Sequence, residues 1–411
     1  GKNTTVFFGI AKIIDALKDS DVVNYLKLRA GYGTSANFPG GYPISSTLNL
    51  DTQDFQDSAG TDVVTNTTGS VLGNTNLKPE TISELEFGIE ARLFNNRVTL
   101  DASVYSRITK DLIIDRPLDP STGYTSTRTN IGEIQNDGIE LDLSVDIFQS
   151  NGDGFNWNTS FNWSKSEAVV NDLGLDTDVV VYAGFTNLGN AAMVGESLGT
   201  MVGSAIARDD NGNLKVNAAG SYVTQTGLNI IGDANPDFTM NMFNSISYKN
   251  FNLGFLFHWT EGGDLFSYSI ATPLGRGVVT QEGVDRQNSF ILSGVNPAGE
   301  PNTTQINNST YYFSNVLYGP AEMKVYDATV FRLQEVSLGY KVPAEFLDKT
   351  PFGSISVTFS GYNLWFDAPN IPDVTNFDPN VAGLGIGNGR GFEYLNGPSS
   401  KRYGLSIKAT F

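Results

Sequence analysis

The C-terminal segment of the chain alternates apolar and polar residues, as a half-buried β-strand does. From Tyr403 to Phe411 every second residue is apolar, and the residues between them are small, polar or charged. A strand that closes on an aromatic residue is typical of the last strand of an outer-membrane barrel, because an open sheet edge is unfavourable in hydrocarbon. A strand of a soluble β-sandwich that ends in Phe is the alternative interpretation of this segment.

The same period of two recurs along the chain and predicts antiparallel strands joined as hairpins. Asn95-Asn96 and Lys249-Asn250 read as tight turns. Between Leu333 and Val336 the apolar positions change phase, which indicates a β-bulge. The pattern predicts roughly eleven spans of roughly 9 to 13 residues each. Besides the final strand, they lie in Val6–Ala11, Leu26–Tyr32, Leu85–Leu93, Val98–Tyr105, Ile139–Ile147, Phe155–Trp163, Phe238–Ile246, Phe251–Trp259, Phe331–Tyr340 and Ile355–Phe359.

The connections between these strands are either very short or very long. A sandwich has no reason to sort its turns in this way, whereas a bacterial barrel has short periplasmic turns and long extracellular loops. The short connections are Asn95-Asn96, Ser150–Asp153, Lys249-Asn250 and Pro343–Thr350. The long ones are Thr34–Pro79, Val170–Pro236, Glu261–Glu322 and Phe366–Pro398. We expect short strands outside the membrane in the second of these and a functional segment or lid in the third.

The alternation also assigns the two faces of the predicted barrel. We expect Leu141, Leu143 and Val145 to face lipid and Glu140, Asp142 and Asp146 to face the lumen, because the reverse would place three carboxylates in hydrocarbon. The fold class is therefore all-β, as a transmembrane antiparallel β-barrel.

Composition narrows the possible partners. Among 411 residues, 44 are acidic and 26 are basic, which gives a net charge of −18 and excludes the basic surface that a nucleic-acid partner requires. The chain has no cysteine, so it forms neither disulfides nor thiolate metal sites. No apolar run approaches the roughly 20 residues of a membrane helix, so any crossing of the membrane is made by strands.

Several motifs carry candidate chemistry, and each has a structural alternative. Gly195–Gly199 matches the G-x-S-x-G nucleophile elbow, but no helix follows Ser197, and the single histidine, His258, lies in a predicted strand. Asp209–Asn213 resembles part of a calcium loop but lacks the later glutamate ligand, which favours a polar turn. The glycines of Gly383–Gly391 lack the spacing of a nucleotide site. We therefore expect no enzymatic activity, cofactor or metal.

The loop after the strand Ile355–Phe359 carries the candidate ligand-binding residues. Aromatic rings stack on sugars or peptides and charged groups hydrogen-bond them, although aromatics at strand ends are also common in interface girdles. The candidate residues are Trp365, Phe366, Asp373, Asp378 and Arg390.

Five segments of the sequence, in this order, resemble landmarks of the SusC/RagA-like TonB-dependent outer-membrane transporters. They are Leu77–Glu90, Asn130–Leu141, Ile231–Phe238, Phe331–Tyr340 and Ser360–Leu364. The resemblance covers nearly the whole chain and implies the C-terminal part, residues 1–411, of a barrel of about 22 strands. The plug, the TonB-contacting segment and the N-terminal accessory domain of that family have no counterpart in these residues.

What the resemblance implies about function follows from the family. It implies import of an oligosaccharide or peptide across the outer membrane of a Gram-negative cell, together with a SusD-like surface lipoprotein and with TonB, which would act through a segment outside these residues. Outer-membrane lipids are the further expected partner. A passive porin, a non-transporting scaffold barrel in a larger envelope complex and an outer-membrane hydrolase are the alternatives.

Overall fold

The computed structural model describes residues 3–9, 20–39, 44–46, 48–56, 58–60, 62–150, 154–174, 177–279, 284–381 and 389–411. The strands, numbered in chain order, are β1 (Asn3–Gly9), β2 (Val23–Asn37), β3 (Leu48–Gln56), β4 (Asp62–Thr68), β5 (Val71–Leu72), β6 (Glu80–Leu93), β7 (Val98–Pro117), β8 (Ser126–Phe148), β9 (Asn156–Asp172), β10 (Val179–Phe185), β11 (Leu188–Met193), β12 (Thr200–Ile206), β13 (Thr224–Asp233), β14 (Phe238–Tyr248), β15 (Phe251–Glu261), β16 (Asp264–Ser267), β17 (Ser289–Ile291), β18 (Gln305–Asn307), β19 (Val325–Asp327), β20 (Val330–Lys341), β21 (Ser354–Asp367), β22 (Phe392–Glu393) and β23 (Arg402–Thr410).

Within the described ranges, helical structure is confined to the connections between these strands. It comprises α1 (Tyr268–Arg276), α2 (Asn308–Thr310), a π-helical segment Tyr311–Leu317, and 3-10 turns at Pro120–Thr122, Ala321–Lys324, Ala344–Phe346, Asp373–Thr375 and Pro379–Val381. No helix in the described ranges is both long enough and apolar enough to cross a membrane.

One large antiparallel sheet forms the wall of the molecule. Its strands follow the order β1-β2-β6-β7-β8-β9-β14-β15-β20-β21-β23, and β5 adds a short parallel pairing to β8. This path contains the roughly eleven strands that the sequence predicts. Among the described residues β1 and β23 lie at opposite ends of the path and are not paired with each other.

The registers of these strands place two neighbouring rows of side chains on opposite faces. The apolar row is Leu26, Ala91, Leu100, Leu143, Phe161, Met242, Phe257, Leu333 and Trp365. The polar row is Lys27, Glu90, Asp101, Asp142, Asn162, Asn241, His258 and Arg332. Arg332 is 2% exposed because a folded connection covers it, so the polar face is the inner one. Asp142 and Leu143 therefore lie on the faces that the alternation predicts.

The predicted turns and bulge are found with one correction. Tyr248 pairs with Phe251, so Lys249-Asn250 is a two-residue turn. The turn at Asn95-Asn96 is longer than predicted, because Leu93 pairs with Val98, and Phe94 shares the left-handed φ of both asparagines. Gln334 is the extra residue of the predicted bulge, since Leu333 and Glu335 pair with consecutive residues of β15. The predicted turn Ser150–Asp153 lies partly outside the described residues.

The strands near the middle of the sheet are longer than the prediction. β7 has 20 residues and β8 has 23, so both continue well beyond a membrane span. The extension of β7 beyond the predicted end at Tyr105 includes the left-handed residue Asp111 (φ 53°). These extensions form the wall against which the next inserted segment packs.

The long connections are folded units. Residues of the second one form the four-stranded sheet β10-β11-β12-β13, and the third contributes β16, which pairs with β19 and β22. The first, expected as a polar loop from Thr34, instead begins after Asn37 and contains the pair β3–β4. Val180 and Ala192 of the four-stranded sheet share a core with Ile114, Ile131 and Ile134 of the wall. This contact holds the inserted sheet against the strand extensions.

Candidate ligand-binding site

A cavity of about 320 Å³ lies between the wall and the four-stranded inserted sheet. Small-molecule sites in proteins have volumes of roughly 300 to 1,000 Å³ and combine an apolar lining with a few polar groups. The apolar lining consists of Leu112, Ile114, Ala168 and Leu198. The other described lining residues are Asn136, Ser166, Tyr182, Gly199, Asn235 and Arg390. The cavity therefore has the composition of a site for a small amphipathic group.

Tyr182 reaches the cavity because it occupies a β-bulge. The register of β10 with β11 skips one residue between Val181 and Ala183, which releases Tyr182 from the ladder. Its hydroxyl donates a hydrogen bond to the carbonyl oxygen of Leu198. Burial raises the pKa of Tyr182 to about 12, although the nearby charge of Arg390 acts in the opposite direction. The phenol is therefore neutral at physiological pH.

Arg390 is held in place through both its backbone and its side chain. Its backbone N–H donates to Oδ1 of Asn190, a fully buried residue, at 2.9 Å. Its Nη1 donates to Oδ1 of Asn235 at 3.3 Å. The amide nitrogen of Asn235 in turn donates to Oγ of Ser197 at 2.9 Å. This network fixes an exposed guanidinium at the cavity, far along the chain from the other lining residues.

The G-x-S-x-G motif contributes to this network, not to catalysis. Ser197 Oγ also accepts the backbone N–H of Gly199 at 3.0 Å, and β12 follows where an elbow would need a helix. A Cβ at Gly199 would collide with the side chains of Asn235 and Asp233. His258 is engaged elsewhere, because its ring nitrogens contact Asn241 Oδ1 at 2.8 Å and Thr260 Oγ1 at 3.0 Å. The structure therefore does not assemble a catalytic triad from Ser197 and His258.

The five candidate residues lie in different environments, and two of them, Trp365 and Phe366, belong to the strand β21. Trp365 is 48% exposed and belongs to the apolar row, where its ring lies 6.0 Å from that of Phe331. Phe366 is on the other face and packs with the core around α1. Asp373 is exposed at the start of a 3-10 turn. Arg390 lines the cavity, whereas Gly383–Asn388 of the glycine-rich loop lie outside the described residues.

Asp378 is buried, where it forms an ion pair with Arg332. The two side chains are 4% and 2% exposed, and Nη2 of Arg332 donates to Oδ1 of Asp378 at 2.7 Å. Burial opposes ionisation of Asp378, but the hydrogen bonds from Arg332 and from the backbone of Asn380 outweigh it and lower the pKa of the carboxyl. This pair anchors the last loop to the wall and does not line the cavity.

A second cavity, of about 440 Å³, lies along the inner faces of β2, β6 and β7. Its charged side chains pair with one another: Arg29 contacts Glu86 at 3.3 Å and Asp101 at 2.6 Å, and Arg107 contacts Glu84 at 2.6 Å. Because these charges are already paired, this cavity is a weaker candidate for specific recognition.

The Asp209–Asn213 segment is a closed polar turn. Oδ1 of Asp209 accepts the backbone N–H groups of Asn211 and Asn213 at 2.9 and 2.8 Å, and Oδ2 accepts the side chain of Asn213. The hydrogen bond from the Asn213 side chain is the largest cause of the lowered pKa of Asp209. The carboxylate oxygens that a calcium ion would need are used within the turn.

Sequence reasoning found Arg390 but missed Tyr182, Asn136 and Asn235. Tyr182 becomes available through a bulge, which has no local sequence signal in that segment. Asn235 lies in the Ile231–Phe238 segment that carries the family resemblance, so that resemblance was the signal that could have identified it. Asn136 lies in β8 next to the predicted strand Ile139–Ile147.

The fold and the cavity define the class of protein. An antiparallel sheet with an apolar outer face, a polar inner face and large folded insertions on one side is the wall of an outer-membrane β-barrel. A family model for the β-barrel of TonB-dependent receptor-like proteins matches residues 19–364. The chain belongs to this family.

Individual relatives of the chain include receptors of the same family. It is 27% identical to TonB-dependent receptor P3 of Formosa agariphila over 434 residues, which include 96% of this chain and 40% of the relative. It is 27% identical to the TonB-dependent receptor SusC of Bacteroides thetaiotaomicron over 255 residues, 58% of this chain and 25% of SusC.

Solved structures agree on the fold. A chain of the RagAB peptide transporter superposes with a TM-score of 0.70 at 19% identity, over 100% of this chain and 43% of that chain. The chain thus spans less than half the length of the relatives it matches. These relatives are receptors and transporters, not enzymes.

Proposed function

We propose that the protein to which these residues belong imports a nutrient across the outer membrane in a TonB-dependent manner. The observation that carries this proposal is the cavity between the wall and the inserted sheet, because it presents a fixed cation, amides and apolar side chains on the inner side of a barrel wall. A passive pore would need an open lumen, whereas folded insertions pack against this inner face. Family membership supports the same function.

We further propose the partners that SusC/RagA-like relatives suggest. These are a SusD-like surface lipoprotein that meets the long connections, and TonB, which contacts a segment outside residues 1–411. The ligand would be an oligosaccharide or a peptide, and the protein would lie in the outer membrane of a Gram-negative cell. RagAB, which is similar in fold, is a peptide transporter.

The test uses the full-length gene in its native host. Strains that lack this gene or tonB should lose uptake of the same oligosaccharide or peptide, and the gene with Arg390→Gln should restore uptake less well than the wild-type gene. A gene with Arg276→Gln is the matched control, because Arg276 is a cation of an inserted segment that does not line the cavity. Uptake that persists without tonB would favour a passive channel, and a tonB-dependent strain phenotype without any uptake defect would favour a scaffold.

A further inference from the structure

The strongest unexplained feature of the molecule is the set of unused hydrogen-bonding groups in the 320 Å³ cavity. Oδ1 of Asn136 is buried and has no hydrogen-bond partner among the described residues. A buried acceptor without a partner loses its hydration without compensation, so it needs a donor from a water molecule or a ligand. Asn136 therefore offers an acceptor in the cavity to a hydroxyl or N–H group, whether of a water molecule or of a ligand.

Arg390 supplies the second unused group. Its guanidinium carries five donors, of which one, on Nη1, is used on Asn235. No carboxylate of the described residues forms an ion pair with it, and the adjoining segment 382–389 contains no acidic residue. With respect to the described residues, the other donors of the planar fork are therefore available, and a guanidinium can bind a carboxylate in a bidentate manner.

The described lining residues of the cavity include no carboxylate that would compete with a ligand for Arg390. Tyr182 remains a neutral phenol whose proton is used on Leu198. Asp233 lies close to Gly199 and its Oδ1 accepts the backbone N–H of Asn235 at 2.9 Å, but its carboxylate is not among the described lining residues of the cavity and forms no ion pair with Arg390. The opposite wall is apolar, with Leu112, Ile114 and Leu198.

We propose that this cavity recognises a carboxylate-bearing end of the imported molecule, with the carboxylate on Arg390, a neighbouring hydroxyl or N–H group on Asn136 and an apolar face against Leu112 and Ile114. The proposal rests on the import function and narrows its substrate class. The C-terminal residue of a peptide and the uronic acid of an acidic oligosaccharide both have this chemistry.

The test measures binding to the full-length protein in detergent by isothermal titration calorimetry. The probes are two matched pairs: the peptide Ala-Ala-Leu with a free carboxylate or a C-terminal amide, and trigalacturonic acid or its methyl ester. We expect one acidic probe to bind about tenfold more tightly than its neutral counterpart, because hydrogen bonds to a charged group are stronger than neutral ones. The pair that shows this preference identifies the source of the carboxylate.

Variants show whether the cavity causes the preference. Arg390→Gln should reduce the roughly tenfold preference for the acidic probe to about equal affinity for the two members of the pair. Arg276→Gln should preserve the preference. Asn136→Asp should lower the affinity for the acidic probe, because the new carboxylate repels the carboxylate of the probe. Equal binding of the acidic and neutral members of both pairs, a preference that survives Arg390→Gln, or no binding of either acidic probe would each overturn the proposal.

The failure of this inference can be distinguished from the failure of the import function. TonB-dependent uptake of a neutral ligand that is unaffected by Arg390→Gln would leave import intact and reject carboxylate recognition. Calorimetric binding of an acidic probe that depends on Arg390, without TonB-dependent uptake of any ligand, would confirm the site and reject import.

Discussion

Single residues show how the polar inner face tolerates buried charge. Arg332 continues the polar row of the wall, and Asp378 reaches it from the last loop, so this charge on the inner face is covered by protein instead of water. Nε of Arg332 has no partner among the described residues, so the pair is not fully compensated. Such pairs contribute little net stability, but removal of one partner strongly destabilises the fold because it leaves the other charge buried and unpaired.

We therefore expect Asp378→Asn to loosen the last loop. The change leaves the buried guanidinium with an uncharged partner, and breaking a buried pair destabilises by about 3 to 5 kcal/mol. Hydrogen exchange of the backbone amides of residues 371–381 should accelerate, while that of β14 and β15 should stay unchanged. The double variant Arg332→Met with Asp378→Leu should retain most of the protection. Equal exchange in Asp378→Asn and the wild type would contradict this role.

Lys324 makes the stability of the inserted segments depend on pH. It is 2% exposed, its Nζ donates to the carbonyl oxygens of Gly319 and Pro320, and burial lowers its pKa to about 8 from 10.5. Between these values the unfolded segment binds more protons than the folded one, so stability rises with pH. From pH 8 to pH 10 the gain is on the order of 2 kcal/mol.

The measurement is the resistance of residues 311–327 to limited proteolysis at pH 8 and at pH 10. Resistance should increase at the higher pH in the wild type, and Lys324→Met should abolish the difference. Burial raises the pKa values of the neighbouring Tyr268 and Tyr326 above the ordinary value of 10, so these groups oppose the change, but only close to pH 10, where unfolded tyrosine begins to lose its proton. A pH effect that is the same in Lys324→Met would assign it to other groups.

At the scale of elements, the alternation of the sequence predicted the wall because its cause is local. Each strand has one face in an apolar environment and one in a polar environment, so the period of two survives in Val98–Val104 or Phe251–Trp259 without reference to distant residues. The bulge at Gln334 was predicted for the same reason. The inserted sheet β10–β13 could not be ordered, since its core depends on distant residues such as Ile114 and Ile131.

The candidate site was predicted only in part because it is built from distant segments. Arg390 was a visible charge in a glycine-rich loop, whereas its partners Asn190 and Asn235 lie more than a hundred residues away along the chain. Trp365 shows the opposite case, because an aromatic residue at a strand end looks the same in sequence whether it stacks on a ligand or lies in an outward aromatic band. The register of β21 against β20 decides its face.

The helix α1 is held by a carboxylate from the last loop. Glu393 is fully buried, and its Oε2 accepts from Ser267 Oγ at 2.7 Å and from the backbone N–H of Ser269 at 2.9 Å. Its Oε1 accepts from Ser269 Oγ at 2.6 Å and from the backbone N–H of Asn396. A negative charge at a helix N-terminus is favourable, because it interacts with the helix dipole and the unsatisfied N–H groups.

We expect Glu393→Gln to destabilise α1 by about 1 to 3 kcal/mol. Both carboxylate oxygens of Glu393 accept hydrogen bonds, so the NH₂ group of glutamine would face an N–H or O–H donor in place of one oxygen. Hydrogen exchange of residues 268–276 should accelerate in this variant. Glu345→Gln is a suitable control, because Glu345 is an exposed residue of the 3-10 turn Ala344–Phe346. Unchanged exchange in α1 would show that Ser267, the N-cap residue, is sufficient to hold the helix.

At the scale of the whole molecule, an aromatic band follows the outer face of five neighbouring wall strands. The rings of Trp163, Phe238, Trp259, Phe331 and Trp365 form a chain of contacts with centroid distances of 6.0, 5.2, 6.5 and 6.0 Å. Aromatic girdles of this kind lie at the interfaces of barrel proteins with the membrane. The long insertions on the same side as this band are therefore expected at one surface of the membrane.

The wall formed by the described residues has two edges, at β1 and at β23. Each unpaired backbone group at an edge in lipid is unfavourable by roughly several kcal/mol. For this reason β-sheets cross membranes as closed barrels. The chain spans 43% of the RagAB chain that it superposes on. We therefore propose that, in the full-length protein, further strands lie between these two edges and complete a barrel of about 22 strands.

Disulfide cross-linking tests this arrangement, since residues 1–411 contain no native cysteine. Thr358 and Ser406 are register partners in β21 and β23, so the pair Thr358→Cys with Ser406→Cys should cross-link in full-length protein in membranes. Thr5→Cys with Gly31→Cys should do the same at the other edge. Thr5→Cys with Ser406→Cys should remain unlinked, because the further strands that we propose for the full-length protein separate β1 from β23. Efficient cross-linking of that last pair would show that these residues close a small barrel on their own.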